Sequence, residues 1–168
     1  IMGVTQANVN IVNTYNSANL KGTQVIGGMV GIMEAKVNIY NSYQVGDITG
    51  SSSVGGMIGR VSATATLRNV YTIGNINCSS SKGGIIGQIQ DSSIIDCDYV
   101  YYKKADGLVG IYNENDSDFQ INGYTEEEWN STQMVTLLNE GRQKQEENIN
   151  KQEWKTWKLG EIGYPVFE

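Results

Sequence analysis

The 168-residue chain contains no histidine. Histidine is the commonest general base at neutral pH and the commonest protein ligand of metal ions. Its absence excludes a histidine-based catalytic triad and a histidine-ligated metal centre. We therefore expect no cofactor.

Cysteine and proline are also scarce. Cys78 and Cys97 are too few for a disulfide framework, and their spacing matches no zinc site. They fall at different phases of a 28-residue repeat, so we expect two buried free thiols. A single proline beside twenty glycines indicates many tight backbone positions rather than a disordered linker.

Positive charge is in short supply too, since 12 basic residues face 18 acidic ones and the net charge is -6. Without a basic cluster to neutralise phosphates, we expect no nucleic-acid partner. No apolar run reaches the roughly 18 residues of a membrane span, so we expect no membrane insertion by this segment. Ile1 opens directly into patterned sequence, which indicates a fragment without a signal peptide.

What the sequence does contain is an internal repeat of 28 residues. Three glycine motifs keep this spacing and a fourth arrives five residues early. We expect a structural role for their glycines, which are Gly27, Gly28, Gly31, Gly55, Gly56, Gly59, Gly83, Gly84, Gly87, Gly107 and Gly110. A second landmark has the same spacing, and its members are predicted to stand in one column: Tyr15, Tyr43, Tyr71 and Tyr99.

The residues before each tyrosine alternate between apolar and mixed positions, as in a half-buried strand. In the second block Val37, Ile39, Asn41 and Tyr43 share one face. A unit this short cannot bury its apolar face alone, but stacked copies can. Stacking also predicts an inward amide ladder of Asn13, Asn41 and Asn69.

These patterns predict a mostly β protein with two parts. Residues 1–118 are expected to form a β-solenoid, or β-helix, of about four 28-residue coils. Residues 119–168 are expected to form a helix-containing cap. Thr125 to Glu128 has the pattern of a capping box, and Gly141 is a suitable helix stop.

The cap is predicted to cover the final coil. An open end of a β-coil stack is an exposed sheet edge and needs a cover. We expect Trp129, Leu137 and Leu138 of the helix and residues 164–167 of the tail to pack there.

The glycine core, following an Asn-x-Tyr strand, resembles the GLUG-type repeat of bacterial surface proteins. Gly107-Leu108-Val109-Gly110 has the Gly-Leu-apolar-Gly core, whereas the other copies have Met or Ile in place of Leu. The ending is also similar to the segment found after such repeats, with Leu138-Asn139, then tryptophan, then Gly163 to Phe167. The resemblance implies a bacterial cell-surface or secreted, extracellular module that acts as a stalk or an adhesive surface. It brings no catalytic residues, and the HExxH motif of associated metallopeptidases is absent.

Three sets of side chains are candidates for a site. Tyr40, Tyr101 and Tyr102 could face a glycan or protein partner if exposed. Asp96 and Asp98 could form the carboxylate pair of a glycoside hydrolase or lyase, but outward positions on a strand are the favoured explanation, because nothing basic or aromatic accompanies them at a matching spacing. Asp116 and Asp118 make a weak candidate for calcium, because the loop lacks the glycine and distal glutamate of an EF-hand.

The sequence therefore leaves functions of different classes open. The favoured one is a non-enzymatic adhesin or stalk whose partner is a host or microbial glycan or a surface protein. The alternative is a carbohydrate-active enzyme of the β-helix type that uses Asp96 and Asp98. A purely structural spacer is a third.

Overall fold

The computed structural model of the protein describes residues 2–146 and 153–168. The fold is mostly β, with a β-solenoid of about four turns and one helix towards the C-terminus. The fold class predicted from the 28-residue period is therefore confirmed.

The solenoid is built from short strands that succeed one another turn by turn. The first coil contains β1 (Met2–Thr5), β2 (Val9–Val12), β3 (Tyr15–Asn16), β4 (Leu20–Lys21) and β5 (Ile26–Gly27). The second contains β6 (Val30–Met33), β7 (Val37–Gln44), β8 (Ile48–Gly50) and β9 (Ser53–Gly55), and the third contains β10 (Ile58–Val61), β11 (Thr64–Thr72) and β12 (Ile76–Cys78). The fourth contains β13 (Ser81–Ile89) and β14 (Ile94–Lys103).

A further, incomplete turn comes after the fourth coil. It consists of β15 (Val109–Ile111), a 3-10 helix (Asp116–Phe119) and β16 (Ile121–Tyr124). The chain then forms α1 (Ser131–Glu146) and an antiparallel hairpin of β17 (Trp157–Leu159) and β18 (Pro165–Phe167). Because β16 pairs with β14, the parallel ladder extends past position 118 to Tyr124.

Equivalent strands of successive coils pair in parallel and form three sheets. One sheet runs β1-β6-β10-β13 and also holds β5, β9 and β15; another runs β2-β7-β11-β14-β16 and also holds β3; the third is β4-β8-β12. Apolar side chains such as Ile39, Leu67 and Ile86 fill the space between the sheets. A single coil could not exclude water from these side chains, so the stack is the unit that folds.

An asparagine in each of the first three coils reverses the side-chain alternation. Asn13, Asn41 and Asn69 have φ of 51°, 45° and 56°, a left-handed conformation that asparagine tolerates better than most residues. Residues before the asparagine therefore keep the expected inward face, whereas the tyrosine two residues later points outward. The amide ladder itself is confirmed, with Nδ2 to Oδ1 distances of 2.6 Å and 2.7 Å. It lies on the outer side of the coil rather than inside it.

The tyrosine column differs from the prediction at its last member. Tyr15 pairs with Tyr43 and Tyr43 with Tyr71, but Tyr71 pairs with Tyr101 rather than Tyr99. The corner between β13 and β14 contains a turn with Ser92 at φ 71°. This corner shifts the fourth coil by two residues, so Tyr99 takes the left-handed position that the asparagines occupy, with φ 53°.

The fourth glycine motif is not equivalent to the others. Val109 pairs with Gly83 and Ile111 with Ile86, so this copy is out of register with the motifs it resembles. Gly107 has φ 65° and lies exposed in a turn before β15. The copy that matches the Gly-Leu-apolar-Gly core best is therefore the one that departs from the solenoid register.

The glycines of the other motifs permit close contacts rather than left-handed turns. A Cβ on Gly56 would lie 2.7 Å from Cγ2 of Thr72, whose side chain points into the coil. A Cβ on Gly59 would lie 2.6 Å from Cγ1 of Val25, in the link of the first coil. Real Cβ atoms do not approach neighbours this closely, so side chains here would force the coils apart.

The C-terminal segment covers the side of the stack and not its end. We call this segment, residues 131–146 and 153–168, the strap. At the fourth coil, Gln145 Nε2 donates to Asp98 Oδ2 at 2.5 Å. At the first coil, the Lys155 N–H donates to Asn13 Oδ1 at 3.0 Å. The prediction that helix and tail cover the final coil is therefore wrong, because both pack against the outward tyrosines Tyr43, Tyr71 and Tyr101.

The helix boundaries also differ from the prediction. The Thr125–Glu128 capping box forms, with reciprocal hydrogen bonds of 2.9 Å and 3.3 Å, but it closes a turn. The helix starts later, where Asn130 Oδ1 accepts from the Gln133 N–H at 3.0 Å. Gly141 does not end the helix. A Cβ there would lie 2.6 Å from Asn69 Oδ1, so this glycine lets the helix approach the solenoid.

Candidate functional site

A stack of tyrosines runs along the side of the solenoid under the strap. The rings of Tyr15, Tyr43 and Tyr71 lie 5.1 Å apart between neighbours, with interplanar angles of 10° and 3°. Trp157 packs against Tyr43 and Tyr71, and its Nε1–H donates to Asn41 Oδ1 at 2.7 Å. The tyrosine stack is thus the strap's own binding surface, apart from Tyr15 at its open end.

Burial keeps the phenols of Tyr43 and Tyr71 uncharged. It raises the pKa of Tyr43 to about 12, with smaller contributions from Tyr15 and Tyr164. Burial also raises the pKa of Tyr71 well above its ordinary value, and the Tyr71 hydroxyl donates to the Pro165 carbonyl. Neutral phenols are favoured in the apolar contact between strap and solenoid, because an ionised phenolate would lose its hydration there.

The tyrosines expected to face a ligand are largely covered. Tyr101 and Tyr102 are 4% and 0% exposed, so the expectation that they are exposed is wrong. Tyr101 lies under the strap, whereas Tyr102 points into the solenoid and donates from its hydroxyl to Asp116 Oδ2 at 2.7 Å. Tyr40 is half-buried, and its ring stacks on Trp154 with centroids 5.7 Å apart. The two-residue shift of the fourth coil explains why the sequence pattern misplaced Tyr101 and Tyr102.

Asp96 and Asp98 lie on the outer side of β14, and both bind other protein groups. Asp96 Oδ2 forms an ion pair with Arg68 Nη2 at 2.5 Å. Asp98 Oδ2 accepts from Gln145 of the strap at 2.5 Å. The two carboxylates therefore join neighbouring elements of the structure.

Asp116 and Asp118, the weak calcium candidate, lie on the 3-10 helix of the incomplete turn. Asp116 Oδ1 accepts from the Gly110 N–H at 2.7 Å, and its Oδ2 accepts from Tyr102. Both oxygens are therefore occupied by protein donors, while Asp118 is exposed on the 3-10 helix. Within residues 2–146 and 153–168, no cluster of three or more acidic or cysteine side chains is placed to hold a metal ion.

The two cysteines are free but differ in environment. Cys97 is buried, and this burial raises the pKa of its thiol to about 12. Cys78 is half-buried rather than buried and lies at the end of β12. The thiol of Cys97 is therefore protonated and unreactive at neutral pH.

One outer surface carries a regular polar array that no sequence motif indicated. Thr49 and Asn77 are paired across β8 and β12, and both side chains are exposed. Beside them, Ser51 and Ser79 occupy equivalent positions in the two coils, and Ser79 Oγ donates to the Ser51 carbonyl at 3.1 Å. We call these four residues the hydroxyl–amide face.

The outward direction of the side chains on the hydroxyl–amide face follows from the inward packing of their neighbours in the same sheet. Leu20, Ile48 and Ile76 are aligned in β4, β8 and β12 and point into the core, so their neighbours must point outward. The signal available in the sequence was polar residues recurring at a spacing of 28, which also describes an ordinary solvated face.

Among the described residues, no helix is long and apolar enough to cross a bilayer. Comparison with protein-family models, with curated proteins and with solved structures finds no match for this chain. The similarity to GLUG-type repeats therefore stays a prediction.

Proposed function

We propose that this protein is a non-enzymatic recognition module that binds a glycan through the hydroxyl–amide face. The supporting observation is that Thr49 and Asn77 are in register on paired strands, with Ser51 and Ser79 at equivalent positions just after those strands. Strand pairing fixes the backbones of Thr49 and Asn77 about 4.8 Å apart before any ligand arrives, which limits the entropy lost on binding. A bacterial cell-surface or secreted setting, as an adhesin or stalk, rests on the family resemblance alone.

A glycan suits this face better than a charged partner. The four side chains of the face are uncharged, and Lys21, aligned with Thr49 on the neighbouring β4, places one positive charge at its edge. A hydroxyl-rich ligand can exchange hydrogen bonds with water for bonds to these four side chains without burying a charge. A protein partner would ordinarily need large apolar or aromatic anchors at the centre of the contact, and the four side chains provide none.

Binding can be tested with a panel of glycans and extracellular-matrix proteins and two matched variants. Thr49→Glu with Asn77→Glu places carboxylates on the face, and we expect about a tenfold or greater loss of affinity for the glycan that binds. Asn38→Glu with Thr66→Glu makes the same changes on paired outer positions of β7 and β11 and should leave affinity unchanged.

Three results would count against this assignment. The panel could yield no glycan ligand, it could yield a protein ligand alone, or both variants could lose affinity equally.

The alternative function, a β-helix carbohydrate-active enzyme, has weaker support. Asp96 is paired with Arg68, and Asp98 accepts a hydrogen bond from Gln145, so each carboxylate already binds a protein donor, which weighs against a role as an acid or a nucleophile. We therefore expect no hydrolysis or elimination when the purified protein is incubated with polysaccharides and reducing ends are assayed. Turnover that Asp96→Asn abolishes would overturn this expectation and restore the enzyme hypothesis.

A further inference from the structure

The polar side chains of the third sheet form three parallel columns that run from coil to coil. The central column is Lys21, Thr49 and Asn77, whose backbones are paired in register on β4, β8 and β12. The residues two positions earlier and two positions later in each coil are also polar, so a further column lies on either side. The earlier column is Asn19, Asp47 and Asn75, and the later column is Thr23, Ser51 and Ser79.

The two flanking columns already bond neighbouring coils to each other. In the earlier column, Asp47 Oδ1 accepts from the N–H and from Nδ2 of Asn75, at 2.9 Å and 3.0 Å. In the later column, Ser51 Oγ donates to the Thr23 carbonyl at 2.6 Å, and Ser79 Oγ donates to the Ser51 carbonyl at 3.1 Å. These bonds fix the direction of the side chains that make them.

The central column is left free by comparison. The side chains of Lys21, Thr49 and Asn77 are exposed, and none of them bonds to another residue in the described part of the chain. Thr49 and Asn77 therefore keep their donors and acceptors available, with one such residue in each coil. A face that served only to hold the coils together would use these side chains as its neighbours are used.

The spacing along the central column favours a ligand with a matching repeat. Strand pairing places successive central residues about 4.8 Å apart along the solenoid axis. A β-1,4-linked chain of glucose or N-acetylglucosamine is straight and flat, because both bonds that link each ring into the chain are equatorial. Its length per sugar is close to the spacing of the coils. An α-1,4-linked chain of glucose curls and cannot keep one sugar on each coil.

We propose that the hydroxyl–amide face binds a β-1,4-linked glycan that lies along the solenoid axis, with about one sugar on each coil. This inference rests on the proposed function and adds the linkage and the direction of the ligand. Thr49 and Asn77 bond successive sugars, while Ser51 and Ser79 border the glycan on one side. Among the described residues, the fourth coil adds no strand to the third sheet, so the central column ends at Asn77.

The linkage is tested by isothermal titration of the full chain with cellohexaose and maltohexaose. These two ligands have the same sugar and the same length and differ in linkage alone. Chitohexaose is a third ligand, because it keeps the β-1,4 linkage and carries an acetamido group in place of one hydroxyl of each sugar. We expect at least one β-1,4-linked oligomer to bind about tenfold or more tightly than maltohexaose.

The direction is tested by changing the length of the better β-1,4-linked ligand. Affinity should rise from the disaccharide to the trisaccharide and then level off, because the central column has one residue in each of three coils. Asn77→Ala should remove the gain from the third sugar. Thr66→Ala is the matched control, since it truncates an outer residue of β11 on another sheet and should leave the dependence on length unchanged.

Three outcomes would overturn this inference. Neither β-1,4-linked oligomer could bind more tightly than maltohexaose, the third sugar could add no affinity to the wild type, or Asn77→Ala could behave like Thr66→Ala. The proposed function would survive each of them as long as another glycan, or the same glycan in another direction, binds the hydroxyl–amide face. A protein that binds no glycan at all would overturn both.

Discussion

Trp157→Ala is expected to lower the free energy of unfolding by about 3–5 kcal/mol, the usual range for removing a buried tryptophan. The indole is 3% exposed and packs against Tyr43, Tyr71 and Phe167. Its loss leaves a cavity in the seam between strap and solenoid. It also removes the hydrogen bond that the indole N–H donates to Asn41. Denaturant unfolding followed by circular dichroism measures the change.

Two control variants accompany this substitution, one for the hydrogen bond and one for burial. Trp157→Phe keeps an aromatic ring but loses the N–H donor, and it should cost less than Trp157→Ala. Leu159→Ala truncates a side chain of the same strand that is 50% exposed, and it should cost less than about 0.5 kcal/mol. If Trp157→Ala were as mild as Leu159→Ala, the strap would not be bound along the tyrosine stack.

Gly84→Val is expected to destabilise the fold by about 3 kcal/mol or more, the upper range for overpacking a core. A Cβ at this position would lie 2.6 Å from Cγ of Tyr102. The ring cannot move away easily, because it is fully buried and its hydroxyl is bound by Asp116. The strands must separate instead, which breaks the ladder between coils. Thermal unfolding and the far-ultraviolet β-signal report the damage.

Gly3→Val is the control for this substitution. Gly3 lies in β1, where a Cβ would meet no atom within 4 Å. The same added atoms should change stability by less than about 0.5 kcal/mol. Equal losses from Gly84→Val and Gly3→Val would show that contact with Tyr102 does not set the cost.

The sequence predicted the solenoid because its period is strict over the first three coils. Stacking of equal units maps a spacing of 28 residues directly onto strand pairing, as in Ile39 with Leu67. The same reasoning failed in the fourth coil, where either Tyr99 or Tyr101 could align with Tyr71 of the third coil. Only the left-handed turn at Ser92, which adds two residues to the corner, decides between them.

Local pattern also could not place the strap. The Thr125–Glu128 capping box forms its hydrogen bonds but starts no helix, and Gly141 lies within a helix whose stop it was expected to be. Both signals describe short-range backbone preferences, whereas the site of docking depends on which way the tyrosines point. That direction is reversed by the left-handed Asn41, whose conformation no hydrophobic periodicity reveals.

The candidate site illustrates the same limit. The exposed aromatic residues suggested by the sequence are the ones that the fold buries, because Tyr102 turns inward and Tyr101 lies under the strap. The hydroxyl–amide face, in contrast, is composed of residues that resemble ordinary surface composition. Its regularity becomes visible only when Thr49 and Asn77 are found on neighbouring strands.

Nuclear Overhauser contacts of the Trp157 indole test most directly whether the strap lies along the side of a tyrosine stack. We predict contacts from this indole to the rings of Tyr43 and Tyr71 and to the Asn41 side chain, together with contacts between Tyr71 and Tyr101. Contacts from the indole to Leu108 and Ile121, without those to Tyr43, would instead place the C-terminal segment over the last coil and contradict this arrangement.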